Sequence, residues 1–226
     1  MNVLGIETAT AVCGAALVRD GVPAGESFFD EGRVHAEKLM GQIIAVLGTG
    51  GVADLGGIAV SIGPGSFTGL RIGVSVAKGI AFALGIPLVG VPTLEALAFR
   101  AAAIDNLKPG TRLLAALDAR RDEVYCQLFD VTERGPVPLW ESRDMKLGAL
   151  SEELGGAAVC VTGDASARVR AWPGMSPAME SVSPEALRCG AASVAVLGTS
   201  LLLAGKADDP SALEPRYIKE FFLRTR

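Results

Sequence analysis

Histidine is the residue that this sequence most nearly lacks, because His35 is the only one among 226 residues. A zinc site built from two or three histidines cannot be formed within the chain. A Ser-His-Asp or Cys-His mechanism would have to use this single residue. The H-x-E signature of the zinc deaminases also needs a later P-C-x-x-C, which is absent. We therefore expect no histidine-based metal site and no catalytic role for His35, which we assign to packing at the start of a helix or at an interface.

An excess of basic residues and paired cysteines are also missing. The chain has 21 Lys and Arg against 25 Asp and Glu, with an isoelectric point near 5.2. A protein that grips nucleic acid alone needs a basic face, so we do not expect this of the isolated chain. Its four cysteines form no C-x-x-C pair. This excludes a zinc ribbon or a redox motif and predicts free thiols in a cytoplasmic protein. No basic region precedes the first apolar stretch, so no signal peptide is predicted.

Charged residues are few, at 20%, whereas half of the residues are apolar and the mean hydropathy is +0.39. This composition excludes a disordered chain, and the length suits one large domain or two small ones. The uncharged run at residues 189–205 is shorter than the roughly 20 apolar residues of a membrane span. It predicts a buried helix and no membrane attachment.

The apolar pattern predicts an α/β protein with two similar halves. In the first half we predict strands at 3–6, 14–19 and 26–29, a helix at 36–47, a strand at 58–62, a helix at 67–84, a strand at 87–91 and a helix at 94–103 capped by Thr93. After a loop-like stretch near 106–110 the order restarts, with strands at 112–118, 123–129 and 137–141, a helix at 147–154, a strand at 157–162 and a helix at 183–204. We therefore predict domains at 1–107 and 108–226.

A glycine-rich segment, S-I-G-P-G-S-F-T-G-L-R, joins a predicted strand to a helix at residues 61–71. Free amides at a helix N-terminus attract anions, so the segment is a candidate phosphate loop. It matches neither the Walker loop nor G-x-G-x-x-G. The alternative is a tight turn in which Ser66 caps the helix.

Small residues recur every four positions along the helix that follows, at Gly69, Gly73, Ala77, Ala81 and Gly85. Such a ridge lets another backbone approach closely. Most other positions are apolar, so the helix must be covered on more than one side. The cover is either the helix that carries His35 or a partner chain.

Carboxylates end the first strand of each predicted half, at Glu7 and at Asp118. Facing each other across a cleft, they would suit Mg²⁺ and phosphoryl transfer. Actin-like and sugar-kinase-like ATPases have D-x-G turns at these points, whereas Ala9 and Arg120 stand here. We therefore predict an eroded nucleotide cleft, with Glu7, Thr8, Asp118, Gly163 and Asp164 as its candidate residues.

Several stretches together resemble the bacterial TsaB (YeaZ) family. They are G-I-E-T-A-T, H-A-E-K-L-M, the glycine-rich segment with its helix, I-P-L-V-G-V-P-T-L-E-A-L-A, L-D-A-R-R-D-E-V-Y and P-R-Y-I. The resemblance implies two actin-like (ASKHA, RNase H-like) subdomains, each a mixed sheet with flanking helices. Glu7 stands where the family usually has Asp, and the end of the sequence departs from the family's pattern.

The resemblance also implies a function. Family members are non-catalytic scaffolding subunits that pair with the paralogue TsaD and are joined by the ATPase TsaE. The complex transfers a threonylcarbamoyl group to N6 of the adenosine 3′ of the anticodon in tRNAs that read ANN codons. The chain would then have no cofactor of its own, since ATP and a metal belong to the partner subunits, and would reach tRNA only through the complex. A homodimer is the expected alternative in isolation.

Two sets of residues acquire roles through the resemblance. TsaD binds its metal with an H-x-x-x-H pair, at positions where this chain has Thr93 and Leu97. Family members pair through their first two helices, here near 34–47 and 67–84. The implied interface comprises His35, Leu39, Gly69, Ile72, Gly73, Val76 and Ile80.

Other functions stay open from the residues alone. A stand-alone ASKHA-type ATPase or small-molecule kinase would use Glu7, Asp118 and the glycine-rich segment. A peptidase is disfavoured by the single histidine. The end of the chain is basic, with Arg216, Lys219, Arg224 and Arg226 against Glu220. It is a solvated terminus, packs back on the first subdomain, or contacts tRNA or an acidic partner.

Overall fold

Two mixed β-sheets organise the chain in the computed structural model, which describes residues 1–31, 34–48 and 51–218. The first sheet and its helices comprise β1 (Asn2–Glu7), β2 (Cys13–Arg19), β3 (Val22–Phe29), α1 (His35–Leu47), β4 (Leu55–Gly63), α2 (Phe67–Leu84), β5 (Leu88–Pro92) and α3 (Thr93–Ile104). The remainder comprises β6 (Arg112–Asp118), β7 (Glu123–Thr132), β8 (Gly135–Pro138), β9 (Arg143–Lys146), α4 (Leu147–Leu154), β10 (Cys160–Thr162), α5 (Ser166–Arg170), β11 (Glu180–Ser181), a 3₁₀ helix (Pro184–Leu187) and α6 (Ala191–Leu203).

The two sheets repeat one topology. The first has the order β3-β2-β1-β4-β5 and the second β8-β7-β6-β10-β11, with β9 also paired to β7. In each, an antiparallel run comes first along the chain and two parallel strands follow. The predicted α/β class and the architectural repeat are confirmed. We call the first sheet with its helices the first lobe and the second sheet with its helices the second lobe.

Helices cover both faces of the first sheet. On one face α1 packs against β2 and β3, and α2 packs beside it on β4. On the other face lies α6, which returns from the end of the second lobe to contact β1, β2 and β4. This return is close: a Cβ added at Gly5 would clash with the Ala191 carbonyl oxygen, and one at Gly198 would clash with the Ala59 side chain. The division into domains at 107/108 stays a prediction.

Several elements differ from the sequence prediction. The strands β9 and β11 were not predicted, and the strand expected at 157–162 is limited to Cys160–Thr162. The helix expected at 183–204 is a 3₁₀ turn and a separate α6, because Arg188 and Gly190 take extended conformations where the chain crosses between lobes. Thr93 does not cap α3, whose N-cap is Pro92. The short α5 was not predicted, since five residues show too little of a helical period.

Two apolar helices bear on the question of a membrane. The run at 189–205 forms α6, a helix of 13 residues with one side buried against the first sheet, as predicted. Among the described residues only α2 is long and apolar enough to cross a membrane by length and composition. Its buried side, which includes Val74, Ala77 and Ala81, belongs to the core of the first lobe. Core helices pass the same test of length and composition, and α2 packs as one.

Candidate functional site

A cleft of about 600 Å³ lies between the two lobes. The first lobe contributes the turn after β1 and the start of α2, and the second lobe contributes the β6–β7 turn. Its lining residues are Ala9, Thr10, Gly65, Ser66, Phe67 and Thr68 on one side, and Leu117, Asp118, Ala119, Arg120, Arg121, Glu123, Tyr125 and Asp164 on the other. The cleft is polar and has an aromatic side chain on each side.

Two amides of the glycine-rich segment, those of Ser66 and Gly69, donate hydrogen bonds within the chain. The Ser66 N–H donates to the Ala9 carbonyl oxygen at 2.6 Å, and the Ser66 hydroxyl accepts from the Gly69 N–H at 3.2 Å. A Cβ at Gly65 would clash with the Ala9 carbonyl, so the turn after β1 already presses against the start of α2. The interpretation of Ser66 as a helix cap is confirmed. The Ser66 and Gly69 amides thus already have acceptors within the chain.

Glu7 is fully buried and does not line the cleft. One carboxyl oxygen, Oε1, accepts from the Ala9 N–H at 2.6 Å and from the Ser61 hydroxyl at 3.2 Å. The other, Oε2, has no hydrogen-bond partner. Burial raises the pKa of Glu7 to about 7, against the lowering effect of the hydrogen bonds from Ala9 and Ser61. The carboxyl therefore ties β1 to β4 and to its own turn.

Asp118 and Asp164 meet at the second-lobe side of the cleft. The Asp118 N–H donates to Asp164 Oδ1 at 2.8 Å. Arg168 holds the turn, since its guanidinium donates to Asp118 Oδ1 at 2.9 Å, to the Arg121 carbonyl at 2.6 Å and to the Glu123 carbonyl at 2.8 Å. Burial raises the pKa of Asp164, and the Asp118 charge acts in the same direction. Both carboxylates thus already have partners in the chain.

The structure brings together only part of the predicted nucleotide site. Asp118 and Asp164 lie in the cleft, whereas Glu7 and Thr8 are buried behind the turn after β1. Gly163 has a φ of 103°, and a Cβ there would clash with the Ala116 carbonyl, so this glycine serves close packing of β10 on β6. No group of three or more His, Cys, Asp or Glu side chains that could hold a metal ion is present in the described ranges.

Sequence reasoning missed the arginine pair at the β6–β7 turn. Arg120 and Arg121 both have positive φ, 72° and 56°, a conformation in which Asn-Gly is the usual pair. The available signal was the sequence A-R-R-D between two predicted strands. Its length indicates a tight hairpin, although neither central residue is the Asn or Gly that such a turn usually has. The aromatic lining residues Phe67 and Tyr125 were also not assigned to the cleft.

The ridge of small residues on α2 faces its own sheet. Gly69 and Gly73 are buried, and a Cβ at either one would clash with Thr8 of the same chain. Ala77 and Ala81 are buried in the first-lobe core. The close approach that the ridge permits is therefore used within the chain, and the assignment of Gly69 and Gly73 to a partner interface stays a prediction.

Other residues of the implied interface also face inward. His35 is buried, and its Nε2 lies 3.0 Å from the Thr10 carbonyl oxygen. Leu39 is in the core of the first lobe. Ile72, Val76 and Ile80 are only partly buried against that core, so each keeps some surface for a partner.

An outer face of different composition remains on the two helices. We define the outer face by the exposed Met40, Gly41 and Ile44 of α1 and the exposed Gly79 and Phe82 of α2. Ile44 is 65% exposed and Phe82 is 87% exposed. A Cβ at Gly41 or Gly79 would meet nothing within 4 Å. Since a glycine inside a helix costs about 1 kcal/mol relative to alanine, two glycines with no role in the chain's own packing favour the approach of another backbone.

The positions that resemble the TsaD metal ligands serve packing. Thr93 is buried, and its hydroxyl accepts from the Gly63 N–H at 3.0 Å. Leu97 is buried in the core between α3 and the second sheet. Neither side chain offers an imidazole nitrogen to a metal. The four cysteines are free thiols, as predicted.

Two lobes of one repeated mixed-sheet topology, with a cleft between them, define an actin-like (ASKHA-type) protein. Among solved structures, YeaZ from Pseudomonas aeruginosa superposes with a TM-score of 0.82 at 26% identity, over 96% of this chain and 99% of that one. A family model described as TsaD, tRNA N6-adenosine threonylcarbamoyltransferase, matches residues 30–135.

Curated relatives agree with these matches. The tRNA threonylcarbamoyladenosine biosynthesis protein TsaB of Escherichia coli is 36% identical over 64% of this chain and 60% of its own length. Its Bacillus subtilis namesake is 36% identical over 57% and 55%. The matches thus span somewhat more than half of these relatives. Together with the YeaZ structure and the family model, these relatives support the TsaB (YeaZ) family as the one that this chain is similar to.

Proposed function

We propose that the chain is a non-catalytic scaffolding subunit in the biosynthesis of threonylcarbamoyladenosine in tRNA. It would bind and stabilise the catalytic paralogue TsaD and help to recruit the ATPase TsaE. The assembly would transfer a threonylcarbamoyl group to N6 of the adenosine 3′ of the anticodon in tRNAs that read ANN codons. The chain would act in the cytoplasm and contact tRNA only as part of the complex.

The outer face of α1 and α2 is the observation that carries this proposal. Met40 and Ile44 of α1 and Phe82 of α2 are exposed apolar side chains on two helices in contact, and each helix also carries a glycine, Gly41 or Gly79, with open space where a Cβ would stand. Contiguous exposed apolar surface marks interaction sites. Small residues let helices pack closely, which supports pairing through a four-helix arrangement with the corresponding helices of TsaD.

The remaining site supports a role without chemistry of its own. The Ser66 and Gly69 amides of the candidate phosphate loop already have acceptors in the chain, and Thr93 and Leu97 stand at the positions that resemble the metal-binding pair of TsaD. We therefore propose that ATP and metal ion are used by the partner subunits. A homodimer through the same outer face is the alternative when TsaD is absent.

Co-expression with the candidate TsaD tests this function. We expect one complex on size-exclusion chromatography, and threonylcarbamoylation of tRNA that requires this chain together with TsaD and TsaE. Modification at the full rate without this chain would contradict the proposal. Magnesium-dependent ATP hydrolysis by the purified chain, abolished by Asp118→Ala, would instead support a stand-alone ATPase.

A charge placed on the outer face should weaken the complex with TsaD and leave the chain folded. We expect Ile44→Asp to weaken the complex with TsaD at least 30-fold, about 2 kcal/mol, because a buried interfacial charge has no partner there. Binding is measured by biolayer interferometry with the purified proteins. Val22→Asp is the matched control, since Val22 is 66% exposed, like Ile44, but lies on the edge strand β3. Equal affinities of the two variants would exclude the outer face.

A further inference from the structure

We propose that Arg120 and Arg121, at the turn between β6 and β7, bind phosphate groups of an RNA backbone. We call these two residues the arginine turn. This contact rests on the proposed function, since the RNA would be the tRNA that the assembled complex modifies. Three features of the turn carry the assignment: its backbone conformation, the hydrogen bonds that fix it, and its exposed guanidinium groups.

The backbone of the arginine turn is unusual for its residue type. Arg120 has a φ of 72° and Arg121 a φ of 56°, so two consecutive residues are left-handed. In the described part of the chain, the other non-glycine residues with positive φ are Asp20 and Asn106, whose types tolerate this conformation. Arginine has no such preference, and Asn-Gly would suit the turn better. Strained residues cluster at functional sites, which favours a role for the two side chains.

Hydrogen bonds hold the arginine turn in this conformation. The Arg120 N–H donates to Asp118 Oδ1 at 2.7 Å, and the Arg121 carbonyl oxygen accepts from Arg168 at 2.6 Å. The Glu123 N–H donates to the Arg120 carbonyl oxygen at 3.2 Å. The backbone of the turn is therefore fixed without either of its own guanidinium groups.

Both guanidinium groups of the arginine turn are available to a ligand. The Arg120 and Arg121 side chains are exposed and line the cleft. Neither has a hydrogen bond or an ion pair to another residue that the structure describes, whereas Arg168 is engaged by Asp118 and by two carbonyl oxygens. A guanidinium group binds phosphate through two parallel N–H donors. Two such groups on adjacent residues therefore suit a chain of phosphates.

The charges near the arginine turn favour a polyanion over a small anion. Asp118 and Asp164 line the cleft, and Asp122 follows the turn. A small anion inside the cleft would approach these carboxylates, whereas an RNA strand can contact the exposed arginines from outside. The formal net charge of the chain is −4, so we expect this contact to act only within the complex. The basic residues beyond Ile218, another candidate contact to tRNA, lie outside the described residues.

Pairing through the outer face leaves the arginine turn accessible. On the first-lobe side, the cleft that the turn lines is bounded by the start of α2, at Ser66 and Thr68. Phe82 of the outer face lies about 21 Å farther along the axis of the same helix. A change in the turn can therefore weaken RNA binding without weakening the complex with TsaD.

Filter binding of an unmodified tRNA transcript that reads an ANN codon tests this contact, with the complex of this chain and TsaD. We expect Arg120→Gln with Arg121→Gln to weaken tRNA binding at least about fivefold near physiological salt. The slope of log K against log salt should fall by about two, one for each phosphate contact.

Arg112→Gln with Arg134→Gln is the matched control. These two exposed arginines lie at the opposite end of β6 and β7, about 20 Å from the arginine turn. Their replacement removes the same charge and should leave the affinity for tRNA and the salt slope unchanged. Equal losses in the two double variants would overturn the proposal, because only the net charge would then matter.

A second variant separates RNA binding from folding. Arg120→Asn with Arg121→Gly gives the turn its usual residues and keeps the carbonyl oxygen that Arg168 binds, so we expect a higher urea midpoint but weaker tRNA binding. Weaker binding of TsaD by this variant would overturn the proposal, because the arginines would then contact the partner protein. Normal pairing with unchanged tRNA affinity would refute this contact alone. Failure of the native chain to pair with TsaD would refute the proposed function and this contact with it.

Discussion

Gly73→Leu should destabilise the isolated chain by at least about 3 kcal/mol, and urea denaturation would show this as a much lower midpoint. The reason is that a side chain at this position has no room. Its Cβ would clash with the Thr8 hydroxyl and crowd the Thr8 Cβ and methyl group, and Thr8 is buried and β-branched, which restricts its rotation. The small-residue ridge thus seats α2 on the end of β1.

Gly79→Leu is the matched control in the same helix. Gly79 is exposed and a Cβ there meets nothing within 4 Å, so we expect the midpoint to stay equal or rise slightly as the glycine penalty is removed. Gly79→Leu should keep the urea midpoint of the native chain but bind TsaD more weakly. If Gly73→Leu and Gly79→Leu lose equal stability, the packing of α2 described above is incorrect.

A double-mutant cycle locates the clash. Gly73→Ala should cost about 2 kcal/mol in the native background and clearly less when Thr8→Ala has removed the hydroxyl. A coupling energy near zero would mean that Thr8 is not the group that Gly73 accommodates.

Glu7 should make the protein less stable as the pH rises from about 4.5 to 7. Its folded pKa, about 7, lies above the usual 4.5 because of burial. The folded state therefore holds the proton where the unfolded state has lost it. The contribution of Glu7 to the free energy of unfolding is therefore largest below pH 4.5. It is lost as the pH rises through about 7, by about 3 kcal/mol in total.

Glu7→Gln should remove this part of the pH profile. The amide oxygen can still accept from the Ala9 N–H and the Ser61 hydroxyl, and no charge forms at alkaline pH. Urea midpoints at pH 5 and pH 8 measure the effect, and the difference between the two should shrink in the variant. The exposed Glu37→Gln on α1 is the control. Parallel profiles for Glu7→Gln and the native chain would show that Glu7 does not titrate in this range.

Local patterns predicted the elements well and the contacts between them poorly. The bounds of α2 follow from its apolar period, its serine cap and its terminal glycine, and those of β6 follow from a run of apolar residues. Each of these signals is contained in a few consecutive residues. Glu7 and Asp118 were predicted in one cleft because each ends the first strand of its half, and Asp164 was added from a further turn of the second half. Asp118 and Asp164 do line the cleft, but the Glu7 side chain turned to Ser61 on the adjacent strand. Whether a carboxyl at the end of a strand points into the cleft or toward a neighbouring strand depends on tertiary packing, which the sequence pattern does not contain.

What the sequence by itself determined is the repeated α/β architecture and the resemblance to the TsaB family, because periodicity and motifs are properties of the chain alone. The tertiary structure decided which glycines pack inside the chain and which lie open to solvent. Gly73 and Gly79 are six residues apart in one helix and look alike in the sequence. Only the position of Thr8, brought next to Gly73 by the pairing of β1 with β4, gives one a buried contact and leaves the other exposed.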